Sequence, residues 1–176
     1  MHFATSIYTL EQLNNLKDKI EYAILMQDKT SLNYKDLDLD KALEFCKNNN
    51  IKTIIGMDKL FTPTNIDLVS IFFDKYQNLC DYFYITDLGV CNIAIKKKIE
   101  NKVIFDPKTM VCNSLDLKIY SDLGFRAIGL SSEITIKDLM DIYSKTKANI
   151  FYQVFGYRLM FYSKRHLISL YEKKNN

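Results

Sequence analysis

Only two histidines occur in this chain, His2 near one terminus and His166, alone, near the other. A histidine-based metal site or catalytic dyad has little to build on. No H-E-x-x-H, no G-x-S-x-G and no cysteine–histidine arrangement of family spacing is present. Glycine is also scarce, five residues in 176, and none lies in the first strand-to-helix turn, "ATSIYT". A doubly wound nucleotide-binding sheet normally carries a glycine-rich first turn so that its backbone can approach a pyrophosphate, so that architecture is disfavoured, and no P-loop occurs. The two prolines, Pro63 and Pro107, fall in expected loops, and no Pro/Gly/Ser-rich linker divides the chain. One domain over residues 1–176 is expected. Cys46, Cys80, Cys91 and Cys112 are scattered without a C-x-x-C pair. With no signal-peptide pattern at the start they read as reduced, mostly buried thiols, and the expected localisation is cytoplasmic. Hydrophobic runs are short and broken by charge, so no membrane partner is expected.

What is present is ordinary in amount and regular in arrangement. Hydrophobic residues make up 48% and charged residues 26%, as in a typical globular domain. The net charge of +3 is too small to argue for nucleic acid by itself. The run Lys96-Lys97-Lys98 and the tail "YEKKNN" read as solvated faces. Strand-like and helix-like segments then alternate along the whole chain. "HFATSI", "YAILMQ", "KTIIGM", "YFYITD", "KVIFDP", "RAIGLS" and "NIFYQVFG" read as strands, and each of the first six is followed by a helical pattern. Leu10, Leu13 and Leu16 make a buried stripe on the first helix, and Leu39, Ala42, Leu43 and Cys46 on the second. Thr135, three residues before Asp138, predicts a capped helix start, with Ile136, Leu139, Met140 and Tyr143 as its buried face. Gly124 stands where a left-handed helix end is wanted.

The strands are near-continuous apolar runs, which predicts burial on both faces and parallel pairing. Strand starts recur roughly every 20–30 residues, the length of one βα unit. The expected fold is α/β, a partial or truncated TIM-like (β/α) barrel with about seven parallel βα units. A full eight-unit barrel usually takes about 250 residues, so an eighth unit is expected to be missing.

In such folds, function collects at the C-terminal ends of the strands. Those positions hold Thr5, Ser6, Gln27, Asp28, Met57, Asp58, Asp87, Asp106, Lys108, Thr109 and Glu133, with Arg158 after the seventh strand. Carboxylates at strand ends also commonly cap the next helix, and Asp28 and Asp58 are read that way. The stretch "VFGYRLMFYSKRHLIS" at 154–169 combines aromatic and basic residues. It reads either as an amphipathic strand pair or as a surface able to stack and clamp RNA.

Three segments carry a family likeness: "DLGV" at 87–90, "SSEIT" at 131–135 and the 154–169 stretch. They resemble the successive signatures of peptidase family U32, in which the last usually reads V-H-G-A-L-C-V-S-Y-S-G-R-C-L-L-S. Set against it without a gap, this chain keeps Val154, Gly156, Tyr162, Ser163, Arg165, Leu167 and Ser169. "PKTMVCNS" at 107–114 is similar to the fifth-strand segment of shorter relatives from low-GC Gram-positive bacteria. The likeness extends over essentially the whole chain and implies a barrel-like domain with its site at the strand ends, here without the further C-terminal segments of the family. It implies action in hydroxylation-type modification of tRNA, ribosomal RNA or quinone precursors, often with an iron–sulfur cluster on four cysteines. Two of those cysteine positions are Leu159 and His166 here, and the signature histidine is Phe155. No metal and no cofactor of its own is therefore expected.

Asp87, Glu133 and Arg165 are the candidate catalytic residues on this reading, and Thr109, Gly156, Arg158, Tyr162 and Ser163 the candidate ligand-binding ones. The function expected is that of a subunit or domain acting in hydroxylation of the wobble uridine of tRNA. The alternatives are a peptidase or hydrolase, as the family name states, with Asp87, Glu133 and Ser163 as its candidates, or a non-catalytic barrel scaffold. Whether the chain is an enzyme stays open at this point. Expected partners are a longer paralogue of the family or a second copy, and tRNA.

Overall fold

Seven short apolar segments become the seven strands of one parallel sheet, in the order in which they occur along the chain. The computed structural model describes residues 1–159 and 165–175. Its strands are β1 (Ala4–Ile7), β2 (Tyr22–Leu25), β3 (Lys52–Met57), β4 (Tyr82–Ile85), β5 (Val103–Phe105), β6 (Ala127–Gly129) and β7 (Ile150–Phe151). The helices are α1 (Leu10–Leu16), α2 (Leu39–Asn48), α3 (Asp67–Tyr76), α4 (Leu88–Lys96), α5 (Ser114–Asp122), α6 (Ile136–Ser144) and α7 (Leu167–Asn175). The sheet curls into a half-barrel, the partial (β/α) barrel expected from the sequence. Among the described residues β1 and β7 do not pair with each other.

Local sequence explains why the helices start where they do. Asp38 caps α2 by accepting from the Lys41 amide, and Asn113 caps α5 by accepting from those of Leu115 and Asp116. The capping box at Thr135 and Asp138 is present. Each of these side chains satisfies an amide that the helix itself leaves without a partner. The loop between β2 and α2 is long, so Asp28 lies far ahead of the cap, and Asp58 likewise does not cap α3, whose first turn has no side-chain cap. These two aspartates are thus not the helix caps that the sequence suggested. Gly124 has a φ of 85°, the left-handed conformation predicted for it.

Both faces of the sheet are buried, as the continuous apolar strands required. On the convex face, alternate strand residues such as Leu25, Ile55, Phe83, Ile85 and Phe105 meet the helices. The α2 stripe Leu39, Ala42, Leu43 and Cys46 is buried there as predicted, and Leu13 of α1 is fully buried. On the concave face Ile24, Met26, Ile54, Tyr84 and Ile104 form a second, smaller core. At the N-terminal end of the sheet, Asp81 accepts from the Thr53 amide (2.9 Å) and from Lys52 Nζ (3.0 Å), tying β3 to the start of β4.

The buried face of α6 differs from the expected one. Ile142 is buried and Leu139 packs on the core, whereas Ile136, Met140 and Tyr143 are exposed. The helix carries two apolar rows, and only one can face the sheet. The seventh strand is also shorter than "NIFYQVFG", ending at Phe151, and residues 167–175 are helical.

Candidate functional site

Strand register decides which side chains share the mouth of the half-barrel. Met57 pairs with Ile85, Ile85 with Phe105, and Phe105 with Ile128. One residue further along, Asp58, Thr86, Asp106 and Gly129 fall at one level. Gly129 pairs in turn with Phe151. Because side chains alternate in a strand, these residues point to the concave side, one layer above Gly56, Tyr84 and Ile104. A polar ring thus sits on a floor of apolar side chains.

Two of these residues and one neighbour form a connected centre. Tyr84 Oη donates to Asp106 Oδ2 at 2.5 Å. Lys108 Nζ donates to Tyr84 Oη and lies 3.4 Å from Asp106 Oδ2. The same ammonium stands 4.9 Å from the centre of the Tyr84 ring. Burial, and then the Asp106 carboxylate beside it, push the Tyr84 phenol well above the ordinary tyrosine range, so it stays a neutral donor. The result is a chain of hydrogen bonds from ammonium to phenol to carboxylate, with Lys108 partly open to solvent and Asp106 largely covered.

The backbone is shaped to make this chain. Asp106 Oδ1 accepts from the Lys108 amide at 2.9 Å, and Lys108 has a φ of 62°. A left-handed lysine costs roughly 1–2 kcal/mol, so the turn is held by its bonds and not by preference. Gly129 has no side chain for a steric reason. A Cβ there would lie 2.6 Å from Asp106 Cγ and Oδ1, and the carboxylate would have to move.

Asp58 supplies a second carboxylate at the mouth. Its Oδ1 accepts from the Leu32 amide at 2.9 Å, binding the β3 end to the β2–α2 loop. Burial raises its pKa above the ordinary 3.8, and the Leu32 amide and the Lys108 charge only partly offset this. The folded state therefore holds this proton more tightly than the unfolded chain does. Its stabilising contribution is fully present below pH 3.8 and is lost as pH rises through the folded value. Asp58→Asn, which can keep the Leu32 bond, should raise the melting temperature at pH 7. The gain should close as pH falls to about 4, in thermal unfolding measured across that range. A gain independent of pH would show that the carboxylate is not strained by burial.

The residues singled out from the sequence divide into those at this centre and those away from it. Thr109 and Arg158 belong to it: with Asp106, Lys108, Ser132 and Leu159 they bound a small cavity of about 50 Å³. Arg158 donates to the carbonyl oxygens of Ser132 and Gln153 (2.9 Å to the latter) and lies 5.5 Å from the Tyr152 ring centre. It straps the chain after β7 to the β6–α6 loop. Gly156 follows in that segment with a φ of 107°, a conformation that favours glycine.

Asp87 is the N-cap of α4. Its Oδ1 accepts from Gly89 (2.7 Å) and Val90 (3.2 Å), and its Oδ2 from Phe61 (3.3 Å). Both oxygens serve backbone amides. Glu133 is exposed in the β6–α6 loop, and Arg165 is exposed ahead of α7. Tyr162 and Ser163 lie outside the described residues.

Asp106 and Lys108 were visible in the sequence as strand-end residues. Tyr84 was not, because a tyrosine inside "YFYITD" looks like any apolar strand residue. Its signal is parity: it lies two residues before Thr86 on the inward face.

A larger cavity, about 710 Å³, opens between α2 and α3 and shares no residue with this centre. Two lysines line it, Lys29 and Lys75, and Lys75 is held by Asp40 (2.9 Å) and Tyr76 Oη (2.7 Å).

An iron–sulfur cluster does not fit these donors. At the two signature positions Leu159 has no lone pair to offer, and His166 is exposed before α7. Cys46, Cys80 and Cys91 are buried in the helix-side core. Burial pushes the Cys46 thiol up to about 11 and Cys80 to about 12, and raises Cys91 as well. Such thiols are poor sources of thiolate. Among the described residues no three His, Cys, Asp or Glu side chains converge as metal ligands.

A parallel βα half-barrel with a polar centre at its strand ends is a barrel-type domain of the kind that places its chemistry at the C-terminal rim. The family model of peptidase family U32 matches residues 27–176, and the chain belongs to that family. Among solved structures it is similar to one described as "The Structure of the U32 Peptidase Mk0906", with a TM-score of 0.66 and 9% sequence identity. The likeness covers 85% of this chain and 66% of that one, and at this identity it speaks for the fold. A comparison with curated proteins gave no match.

No helix among the described residues is long and apolar enough to cross a membrane.

Proposed function

We propose that this chain is a subunit or domain acting in hydroxylation of the wobble uridine of tRNA, without an iron–sulfur cluster of its own. It binds and orients the base and moves protons, while the oxygen atom and the two-electron oxidant come from a co-substrate or a partner protein. The observation that carries the reading is the Lys108–Tyr84–Asp106 chain at the mouth of the half-barrel. A uracil ring presents two carbonyl acceptors and one N–H donor. Lys108 can donate to a carbonyl oxygen, Asp106 or Asp58 can accept from the N–H, and the half-buried rings of Phe151 and Tyr8 offer flat surfaces beside them. Nucleotides taken out of a stack are recognised by this combination of aromatic faces and polar edges. Tyr84 is placed to pass a proton between Lys108 and Asp106 as charge develops on the base.

The membership in family U32 is equally consistent with a hydrolase. One observation favours that second reading: Asp58 and Asp106 share a level of the mouth, and Asp58 tends to keep its proton. A buried carboxyl of raised proton affinity with a second carboxylate at the same level is an arrangement that can serve acid–base cleavage through water.

One experiment separates the two. In cells whose only copy carries Lys108→Met, nucleoside mass spectrometry of tRNA should show loss of hydroxylated wobble uridine. Restoring the natural residue should restore it. An unchanged nucleoside profile, together with cleavage of unstructured protein substrates that Asp58→Asn abolishes, would replace the tRNA reading by the hydrolase.

A further inference from the structure

Helices α5 and α6 each bury one apolar row and leave a second row uncovered. On α5 the buried row centres on Leu117, while Leu115, Ile119 and Leu123 at its outer side are 75%, 63% and 45% exposed. On α6 the buried residue is Ile142, while Ile136, Met140 and Tyr143 are 78%, 57% and 64% exposed. The outer rows, spaced four and four on α5 and four and three on α6, each keep to one helix face, the pattern of a surface that packs against another helix. The helices are neighbours on the convex side, because β5, β6 and β7 are adjacent in the sheet. Together the six side chains leave on the order of 800 Å² uncovered, about what one partner contributes to a standard-size protein interface. Monomers rarely expose contiguous apolar patches of more than a few hundred Å².

The charges around the rows say what kind of partner fits. Lys118 is paired with Asp122 (2.7 Å) and Lys145 with Asp141 (2.6 Å), each within its own helix. Asp138 is occupied by the capping box, and Asp116 accepts from Asn113 Nδ2 at 2.7 Å. A nucleic acid or an anionic membrane would call for a surplus of basic side chains. Helices α5 and α6, with the α6 C-cap Lys145, carry three lysines against four aspartates, and Lys118 and Lys145 are paired locally. A second copy meets no such demand. Two identical faces related by a twofold axis bring apolar row against apolar row, with these three lysines and four aspartates, charges of both signs, beside the rows.

We propose that this face joins two copies of the chain, with α5 and α6 of one protomer packed on α5 and α6 of its partner. The inference does not rest on the function proposed above. Sedimentation of the full chain from about 1 μM to about 100 μM, a range that spans ordinary dimer affinities, should show the mass of two copies at the upper end. The dimer should persist in high salt, since apolar contact and not charge holds it. Ile119→Glu and Met140→Glu should each raise the dissociation constant about 100-fold or more, as charges buried at an interface centre do. Both positions are exposed in the single chain, so circular dichroism and the monomer's thermal transition should stay as they were. Leu68→Glu, on the exposed side of α3, should leave the dimer intact. A monomer throughout the range would overturn the proposal. So would a dimer that survives both α5 and α6 substitutions.

Discussion

On the proposed tRNA reading, Tyr84→Phe, a change of one oxygen atom, should lower the rate of uridine hydroxylation by about 100-fold or more, the scale set by loss of a positioned acid–base group. The aromatic ring stays in the concave core beside Met26 and Ile104, so packing is unchanged. What disappears is the donor to Asp106 Oδ2 and the acceptor for Lys108 Nζ. The two charged groups then lie 3.4 Å apart with no phenol between them. Leaving a largely buried carboxylate short of a donor costs about 1–3 kcal/mol, a fraction of a domain's stability, so the variant should fold. Purified variant protein with normal thermal unfolding and normal tRNA binding, but without hydroxylated product in the nucleoside analysis, is the expected combination. Full activity in Tyr84→Phe would show that the phenol only fills space.

Phe105→Ala should have the largest effect on stability. Phe105 is fully buried, its ring centre 4.9 Å from that of Tyr120 and 5.5 Å from that of Phe125. These rings fasten α5 and the start of β6 to β5. Truncation leaves a cavity that a close-packed interior fills poorly, with an expected loss of about 3–5 kcal/mol. Chemical denaturation should read this as a lower midpoint with little change in slope. Because Asp106 is the next residue, activity should fall along with stability. Lowering the temperature should recover stability before activity, since the turn that holds Asp106 depends on the placement of β5. A loss below 1 kcal/mol would mean that the site collapses around the gap.

The fold was legible in the sequence because it is repetitive. Continuous apolar runs separated by amphipathic segments leave few alternatives to parallel βα units, and the shortage of glycine disfavoured the nucleotide-binding sheet. Strand positions and the α2 stripe follow from patterns of one element at a time. The errors arose where two elements compete. Helix α6 has two apolar rows, and only the curvature of the sheet decides that Leu139 and Ile142 face inward, not Ile136, Met140 and Tyr143. The α2 stripe from Leu39 already implied a long loop after β2, and reading Asp28 as the cap overlooked it; Asp38 is the cap.

The polar centre was half visible. Asp106, Lys108 and Thr109 stand at a strand end, and strand ends can be counted. Tyr84 reaches them from the adjacent strand, and that meeting depends on the register of β4 against β5. Asp87 drew attention for its family motif, "DLGV", yet the same motif starts a helix, and its carboxylate is spent on the Gly89, Val90 and Phe61 amides. A carboxylate at a strand end has two employments. Only its parity, inward or outward, separates them.

The claim on which the rest stands is that Tyr84 is a shielded phenol locked between Lys108 and Asp106 at the barrel mouth. The absorbance of ionised tyrosine, compared between the natural chain and Tyr84→Phe as pH is raised through 10, tests it most directly. The two curves should coincide while the protein remains folded, because Tyr84 keeps its proton there. A difference of one phenolate with a midpoint near 10, the ordinary tyrosine value, would mean that the phenol is open to water and the centre is not formed.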